Sequence, residues 1–309
     1  MEDVIVKNIR KSYNKASVNA VDDVSFTVNK GELFGLIGPD GAGKTSIFRM
    51  LTTLLLPDSG SALVNGLDIV SNYKEIRNHI GYMPGKFSLY QDLTVEENLT
   101  FFATVFNTTI EENYDLIKDI YVQIEPFKNR RAGKLSGGMK QKLALCCALI
   151  HRPTVLFLDE PTTGVDAVSR KEFWEMLKRL KQEGITILVS TPYMDEASLC
   201  ERIALIQSGK ILSIDTPKKI IDQYPKELFA IKASQMSHLL NDLRLNNLIE
   251  GCNSFGEYHH ITFKNGNLKN NINLLDDLKN KGYQAIEIKE IVPTIEDCFI
   301  NLMQIKNDK

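Results

Sequence analysis

Residues 33–45 read Leu33-Phe34-Gly35-Leu36-Ile37-Gly38-Pro39-Asp40-Gly41-Ala42-Gly43-Lys44-Thr45. The run 33–37 is continuously apolar, which is typical of a strand that is covered on both faces. The glycines that follow interrupt this strand, and residues 45–55 have the pattern of a helix. A buried strand, a Gly-x-x-x-x-Gly-Lys-Thr loop and a helix in this order are the sequence pattern of a phosphate loop.

The residues of this loop have separate expected roles. The backbone N–H groups are expected to point at phosphate oxygens, helped by the positive end of the helix dipole that follows. Lys44 should reach the β and γ phosphates of a nucleotide, and the Thr45 hydroxyl should ligate Mg²⁺. Asp40 is expected to face outward, because phosphates repel a carboxylate. The candidate nucleotide-binding residues are Gly38, Pro39, Asp40, Gly41, Ala42, Gly43, Lys44 and Thr45.

Two acids end a second apolar run at residues 155–160. Open α/β sheets bind ligands at the carboxyl ends of their strands, so Asp159 and Glu160 are expected beside the phosphate loop. Asp159 would hold Mg²⁺ through water. Glu160 would be the catalytic residue that orients the attacking water or accepts its proton. Taken alone, the two acids could instead cap the next helix.

The flanking patterns predict an α/β fold. A third apolar run at residues 185–189 follows a helical pattern over 169–182, and this order implies a parallel, doubly covered sheet. Residues 4–28 alternate between apolar and polar side chains, which predicts an antiparallel β-layer. The spacing over about residues 93–150 is helical, so we expect a helical subdomain inserted into the α/β domain.

A signature follows in the segment Leu135-Ser136-Gly137-Gly138-Met139-Lys140-Gln141. With it, about residues 1–217 resemble the ATP-binding-cassette (ABC) ATPases, whose signature reads Leu-Ser-Gly-Gly-x-x-Gln. The resemblance implies an ABC nucleotide-binding domain of the phosphate-loop class that binds and hydrolyses ATP. It also implies that Tyr13 stacks on adenine and that Asp166 belongs to the D-loop of the family.

The physical chemistry of the signature supports a second phosphate cradle. Ser136, Gly137 and Gly138 precede a helical stretch, so they offer a hydroxyl and unobstructed N–H groups at a positive helix end. The resemblance implies that this cradle closes on the γ-phosphate held by the other nucleotide-binding subunit of a head-to-tail dimer. ATP binding would then close the dimer, and hydrolysis would open it.

Two further segments resemble one branch of the family. The stretch from Tyr82 to Asn98 is similar to the lever region that receives a coupling helix from a transmembrane permease. Residues 291–299 resemble the Pro-Thr-Leu-Glu-Asp-Val-Phe ending of bacterial ABC-2-type exporter ATPases with separate permeases. The resemblance implies a transport ATPase on the cytoplasmic face of the membrane. The alternatives are a soluble ABC ATPase that acts on ribosomes or DNA, and a hydrolysis-poor ATP-binding partner in a heterodimer.

Length and composition set further bounds. At roughly 150 residues per domain, 309 residues predict about two domains, and residues 218–309 are expected to form a C-terminal accessory domain. Its strand, helix, two strands, helix and strand have the ferredoxin-like order. A formal charge of −2 argues against nucleic acid as the main partner. The start of the chain lacks a signal-peptide pattern, which favours the cytoplasm. The five cysteines show no paired metal-ligand spacing and are expected to be reduced and mostly buried.

Two positions depart from the family pattern, and both bear on hydrolysis. Gly85 stands where the resemblance implies a glutamine, and Gln91 is either a displaced substitute or an ordinary loop residue. Pro192 stands where a switch histidine is implied, and proline offers neither a side-chain donor nor an N–H group. In the favoured hypothesis Glu160 with Thr191 or Tyr193 suffices for hydrolysis. In the rival one the chain binds ATP and closes but hardly hydrolyses it.

Overall fold

The chain divides into two compact units. One consists of Met1–Pro217 with Leu302–Lys309, and the other of Lys218–Asn301. The computed structural model describes residues 1–13, 18–264 and 268–307. Over these residues, none of the helices combines the length and the apolarity that crossing a membrane requires.

The first unit alternates strands and helices. In chain order its elements are β1 (Glu2–Tyr13), β2 (Val18–Asn29), β3 (Leu33–Ile37), α1 (Lys44–Leu51), β4 (Ser59–Val64), β5 (Leu67–Asp68), α2 (Tyr73–His79), β6 (Ile80–Met83), α3 (Val95–Val105), α4 (Tyr114–Tyr121), α5 (Gly137–Leu149), β7 (Val155–Asp159), α6 (Ala167–Gln182), β8 (Thr186–Thr191), β9 (Arg202–Gln207) and β10 (Lys210–Asp215).

A six-stranded sheet with the order β10-β9-β3-β8-β7-β6 forms the centre of this unit. Its neighbouring strands run parallel from β9 to β6, and β10 is an antiparallel edge strand. Every residue of β3, β7 and β8 is buried, which confirms the predicted doubly covered parallel sheet. Because these strands run in the same direction, the residues that follow them lie along one edge of the sheet.

A second sheet covers one face of the first. It has the order β2-β1-β4-β5 and is antiparallel throughout, as the alternating pattern of residues 4–28 predicts. Its inward side chains, among them Val4 and Phe26, join Phe34 and Phe157 of the parallel sheet in one buried cluster. The helices α3, α4 and α5 form the predicted helical insertion between β6 and β7.

Helix α1 is shorter than its sequence pattern predicts. It ends at Leu51 rather than near Leu55. Thr53 adopts a left-handed backbone conformation with a φ of +63°, and the N–H groups of Leu54 and Leu55 both donate to the Arg49 carbonyl oxygen. This tight turn satisfies a carbonyl group in the last turn of the helix and ends the helix.

The second unit contains α7 (Pro217–Asp222), β11 (Leu228–Lys232), α8 (Met236–Leu245), β12 (Ile249–Phe255), β13 (Tyr258–Phe263), α9 (Leu268–Asn280), β14 (Glu287–Ile291) and the start of α10 (Ile295–Asn307). Its antiparallel sheet has the order β12-β13-β11-β14, which is the ferredoxin-like arrangement that the element order predicts. Apolar residues of α8 and α9, such as Leu239 and Leu274, bury one face of this sheet.

The last strand of this sheet is displaced from its predicted position. The pattern predicts residues 284–288, but β14 spans Glu287–Ile291. Gln284 exchanges two hydrogen bonds with Ser234, and Ala285 has a φ of +50°. These residues form a turn, so pairing with β11 starts only at Glu287.

The cysteine prediction is confirmed. All five cysteines are buried free thiols. Burial raises the pKa of Cys252 and of Cys298 to about 11, so both side chains are protonated at neutral pH.

Candidate functional site

Close backbone packing fixes the phosphate loop. Gly43 has a φ of +105°, and a Cβ atom there would lie 2.2 Å from the carbonyl oxygen of Ala20 in β2. The turn between β9 and β10 supports the loop as well, because the Gly209 N–H donates to the Ala42 carbonyl oxygen over 3.0 Å. Only glycine combines this backbone conformation with so close a contact, so the loop geometry depends on Gly43.

Lys44 is buried at the start of α1, with only 3% of its side chain exposed. Its Nζ donates to the carbonyl oxygens of Gly38 (2.7 Å) and Pro39 (3.0 Å). The same Nζ lies 3.1 Å from Oε1 of Glu160. A buried ammonium group requires such acceptors, and here the loop carbonyls and the Glu160 carboxylate supply them.

The two acids after β7 lie at this same point of the sheet edge. Asp159 is buried, and its Oδ1 accepts a 2.5 Å hydrogen bond from Oγ of Ser190 in β8. The Glu160 N–H donates to the carbonyl oxygen and to Oγ of Ser190, each over 3.0 Å. Burial, together with the nearby charge of Asp159, raises the pKa of Tyr82 to about 12. Tyr82 therefore stays neutral near the carboxylate of Asp159.

Glu160 has an unusual backbone conformation. Its φ is +50°, in the left-handed region that residues other than glycine seldom adopt. Such a conformation costs on the order of 1–3 kcal/mol and persists only where the surroundings enforce it. Here it turns the Glu160 side chain to Lys44 at the end of the strand.

The donor set at this edge suits Mg²⁺. Thr45 in the first turn of α1 supplies a hydroxyl, and Asp159 supplies a carboxylate. Magnesium is usually held by one or two protein oxygens, with phosphates and water completing its octahedron. Among the described residues no group of three or more His, Cys, Asp or Glu side chains could hold a metal alone. The residues present therefore fit an ion that shares its ligands with phosphates.

Tyr13 stands beside the start of α1 with its ring exposed. Its hydroxyl lies 3.2 Å from Oγ of Ser46 in α1. The end of β1 is held in place by Asp58, which accepts hydrogen bonds from Lys11 Nζ (2.6 Å) and from the Ser12 N–H (2.7 Å). The hydrogen bond from Lys11 is the main reason that the pKa of Asp58 is lowered. An exposed ring next to α1 is available for stacking on a planar base.

The signature residues lie at the start of α5, where Leu135 is buried and Ser136 and Gly137 are exposed. Ser136 is the N-cap of this helix, and its Oγ accepts a 3.4 Å hydrogen bond from the Met139 N–H. A Cβ atom at Gly138 would lie 2.8 Å from Oγ of Ser169 in α6. Gly138 therefore allows the signature to pack against the beginning of α6. Ser136 and Gly137 remain exposed at a positive helix end.

Asp166 begins α6 beside the signature. Its Oδ1 accepts hydrogen bonds from the N–H groups of Val168 (3.1 Å) and Ser169 (3.0 Å), which makes it the N-cap of the helix. The hydrogen bond from the Ser169 N–H is the main cause that lowers the pKa of Asp166. The carboxylate is therefore charged at neutral pH.

The structure also places the two departures from the family pattern. A Cβ atom at Gly85 would lie 3.1 Å from the Asp159 carbonyl oxygen and 3.7 Å from Cβ of Glu160. Gln91 lies elsewhere, since its carbonyl oxygen accepts a hydrogen bond from the Gly133 N–H and its side chain is exposed. After Thr191 the chain turns across Pro192, because the Tyr193 N–H donates to Oγ1 of Thr191 over 3.1 Å.

One residue of this region is missed by the sequence patterns. Glu196 is 1% exposed, and its carboxylate accepts hydrogen bonds from Thr162, Arg170 and Thr191. Thr162 follows Glu160 in the chain, Arg170 follows Asp166, and Thr191 precedes Pro192. The only sequence signal for Glu196 is an acid in a mostly polar stretch, which usually indicates an exposed residue.

The chain belongs to the ABC transporter family of ATP-binding proteins. The family profile described as ABC transporter matches residues 21–163. The Nod factor export ATP-binding protein I of Burkholderia lata is 38% identical over 219 residues, which cover 70% of this chain and 71% of that protein. The probable multidrug ABC transporter ATP-binding protein YbhF of Escherichia coli is 38% identical over 98% of this chain, which spans only 53% of YbhF.

Solved structures share the cassette fold. The dimeric structure of MJ0796, a bacterial ABC transporter cassette, superposes with a TM-score of 0.63 at 25% identity and covers 69% of this chain and 98% of that one. An ATP-binding subunit of an ABC transporter gives a TM-score of 0.65 at 27% identity, over 72% of this chain and 92% of the other. The predicted ABC-type α/β fold is thus confirmed.

Proposed function

We propose that this chain is the ATP-binding and ATP-hydrolysing subunit of an exporter whose transmembrane permease is a separate polypeptide. The observation that carries the proposal is the meeting of Lys44 and Glu160 at 3.1 Å, which joins the phosphate loop to an acid at the same sheet edge. A cation that attracts phosphate and a carboxylate that can accept a proton from water are the groups that phosphoryl transfer to water needs. The names of the relatives, which include multidrug and Nod factor export, support export as the process.

The geometry of the site supports the roles that we propose for its residues. The N–H groups of residues 38–43 and the ammonium group of Lys44 hold the phosphates, and Tyr13 stacks on the adenine. Glu160 orients the attacking water and accepts its proton. Thr45 and Asp159 hold Mg²⁺, and the ion when bound neutralises part of the phosphate charge.

A second copy or a related cassette completes the site. Within this chain the signature packs against α6, and its exposed residues Ser136 and Gly137 face away from the protein. We propose that these residues, with Gly138 and Asp166, meet the γ-phosphate held by the partner cassette. The dimeric solved relative supports such an arrangement. ATP then favours the closed dimer because it contacts both cassettes only in that state.

Purified chain with Mg·ATP tests this function directly. We expect steady-state phosphate release above the enzyme-free background, and a doubling of the molar mass in light scattering when hydrolysis is blocked at saturating ATP. Failure to bind Mg·ATP would contradict the proposal. Binding and closure without phosphate release would favour the hydrolysis-poor partner, which the proline at position 192 suggests.

An apolar groove supports a membrane-embedded partner. It has a volume of 580 Å³ and is lined by the turn after α1, β6 and the loop that follows it, α3 and α5, with Leu54, Tyr82, Leu89, Phe102 and Val105 among the lining residues. It overlaps the segment from Tyr82 to Asn98 that resembles the lever region of the family. We propose that a short amphipathic helix of the permease lies in this groove and places the chain at the cytoplasmic face of the membrane.

A charge in the groove should uncouple the subunits. Val105 is 56% exposed, so Val105→Asp should leave the fold intact but put a carboxylate against the apolar partner helix. We expect less co-purification with the permease and unchanged ATP hydrolysis by the isolated chain. Val122→Asp is the matched control, because Val122 is 48% exposed and does not line the groove. Equal permease recovery with both variants would contradict the docking site.

Residues 218–309 are proposed to form an accessory domain. Most of them belong to the compact unit Lys218–Asn301, which has its own buried cluster around Phe229 and Ile261. The segment that resembles the exporter ending has a structural role there. Thr294 and Asp297 form a reciprocal cap at the start of α10, and Oδ1 of Asp297 lies 2.8 Å from Nδ1 of His260 in β13.

A further inference from the structure

A fully buried carboxylate lies behind the nucleotide site. Glu196 is in a short 3₁₀ helix after β8, and it is 1% exposed. Its Oε2 accepts a 2.5 Å hydrogen bond from Oγ1 of Thr191, and its Oε1 accepts a 2.8 Å hydrogen bond from Oγ1 of Thr162. A buried charge must be compensated, so these bonds are strong constraints on both threonines.

Arg170 supplies the compensating positive charge. Its Nε and Nη2 donate to Oε1 of Glu196 over 3.1 and 3.0 Å, and its guanidinium lies 4.4 Å from the ring centre of Tyr193. The Arg170 N–H donates to the carbonyl oxygen of Asp166, so the arginine is one turn into the helix that Asp166 caps. The ion pair thereby fixes the start of α6.

Each segment that Glu196 holds continues into the proposed site. Thr162 is two residues after Glu160, and the Thr163 N–H donates to the Glu160 carbonyl oxygen over 3.2 Å. Thr191 precedes Pro192 and holds the turn to Tyr193 through its hydroxyl. Ser190 accepts a hydrogen bond from the Glu160 N–H, and the hydrogen bond between Thr162 and Glu196 holds the chain on the C-terminal side of Glu160.

We infer that Glu196 is a positioning residue for hydrolysis, which rests on the proposed function. Its carboxylate holds Thr162 and Thr191 and so enforces the left-handed conformation that directs Glu160 to Lys44. Glu160 needs this support because its φ of +50° persists only where the surrounding structure enforces it. Position 192 holds a proline in place of a switch histidine. The Glu196 carboxylate also fixes the path of the chain at this position through its hydrogen bond with Thr191.

The test compares two buried glutamates of the same cassette. Glu196→Gln removes the charge behind the site. Glu32→Gln removes a similar ion pair, since Glu32 is 6% exposed and lies 3.2 Å from Arg202. Glu32 precedes β3, so this pair lies at the ends of the strands opposite the nucleotide site. Steady-state phosphate release gives kcat and KM for ATP, and thermal unfolding gives Tm for each variant.

We expect Glu196→Gln to lower kcat by about 10- to 100-fold, because displacement of a reacting group by about 1 Å has that effect. KM for ATP should stay within about twofold, since Lys44 and the phosphate loop keep their contacts. The Tm of Glu32→Gln should fall as far as that of Glu196→Gln, whereas its kcat should equal that of the wild type. Thr162→Val leaves the ion pair between Glu196 and Arg170 intact and removes only the hydrogen bond from Thr162. This variant should also lower kcat without changing KM.

Two results would overturn the inference in distinguishable ways. If the wild-type chain hydrolyses ATP and the kcat of Glu196→Gln equals that of Glu32→Gln, with Thr162→Val unchanged, then Glu196 only stabilises the fold. If the wild-type chain does not hydrolyse ATP, the proposed function is wrong and Glu196 has no reaction to support.

Discussion

Replacing Glu160 with glutamine is expected to lower steady-state phosphate release by roughly 10²–10⁴-fold, the range that a general base contributes. Glutamine keeps the shape of the side chain but cannot accept a proton from water. Since Lys44 and the phosphate loop are untouched, ATP binding should remain. We therefore expect the Glu160→Gln variant to form a stable dimer at saturating Mg·ATP, measured by light scattering.

An exposed acid outside the site provides the control for this variant. Glu75 in α2 is exposed and belongs to none of the proposed nucleotide contacts, so Glu75→Gln removes a negative charge without removing a proton acceptor from the site. Its rate should remain close to that of the wild type. Equal phosphate release by Glu160→Gln and the wild type would mean that Glu160 is not the base. If both rates equal the background, the chain is the hydrolysis-poor partner.

Replacing Lys44 with methionine is expected to raise Kd for Mg·ATP by roughly 10- to 150-fold. This range corresponds to the 1.5–3 kcal/mol that a hydrogen bond to a charged group typically contributes. Methionine fills the buried space of the lysine stem but offers no charge to the phosphates. Equilibrium binding of a fluorescent ATP analogue measures the change.

An exposed lysine separates this effect from a general loss of positive charge. Lys128 is 46% exposed and pairs with Glu96 in the helical subdomain, so Lys128→Met should leave Kd unchanged. If Lys44→Met binds nucleotide as tightly as Lys128→Met does, the loop does not hold phosphate through its lysine. Circular dichroism of both variants would show that the comparison is between folded proteins.

The sequence predicts the strands of the central sheet well because the physical signal is local. Residues 33–37 and 155–158 are continuous apolar runs, and among the strands of a sheet only a doubly covered one buries every side chain of such a run. Parallel strand direction predicts that Lys44 and Glu160 lie at the same edge of the sheet, and the left-handed conformation of Glu160 then brings the two side chains together. The displacement of β14 was not predictable, because it depends on the hydrogen bonds between Gln284 and Ser234, 50 residues apart.

Glu196 shows where sequence reasoning about the site ends. Two of its partners, Thr162 and Arg170, are 34 and 26 residues away in the chain. No periodic pattern relates such positions, and their contact depends on the order β3-β8-β7 in the sheet. The phosphate loop is contiguous and carries its own pattern, whereas this network exists only once the fold has formed.

The contact between Lys44 and Glu160 makes nucleotide and glutamate competitors for one ammonium group. Phosphate that approaches the loop meets an attractive lysine and, beside it, a repulsive carboxylate. Neutralising Glu160 therefore removes an electrostatic brake on binding as well as the proton acceptor, so even ADP should be retained longer by the glutamine variant. Residence times measured with that variant consequently report the altered charge of the resting enzyme together with the blocked reaction.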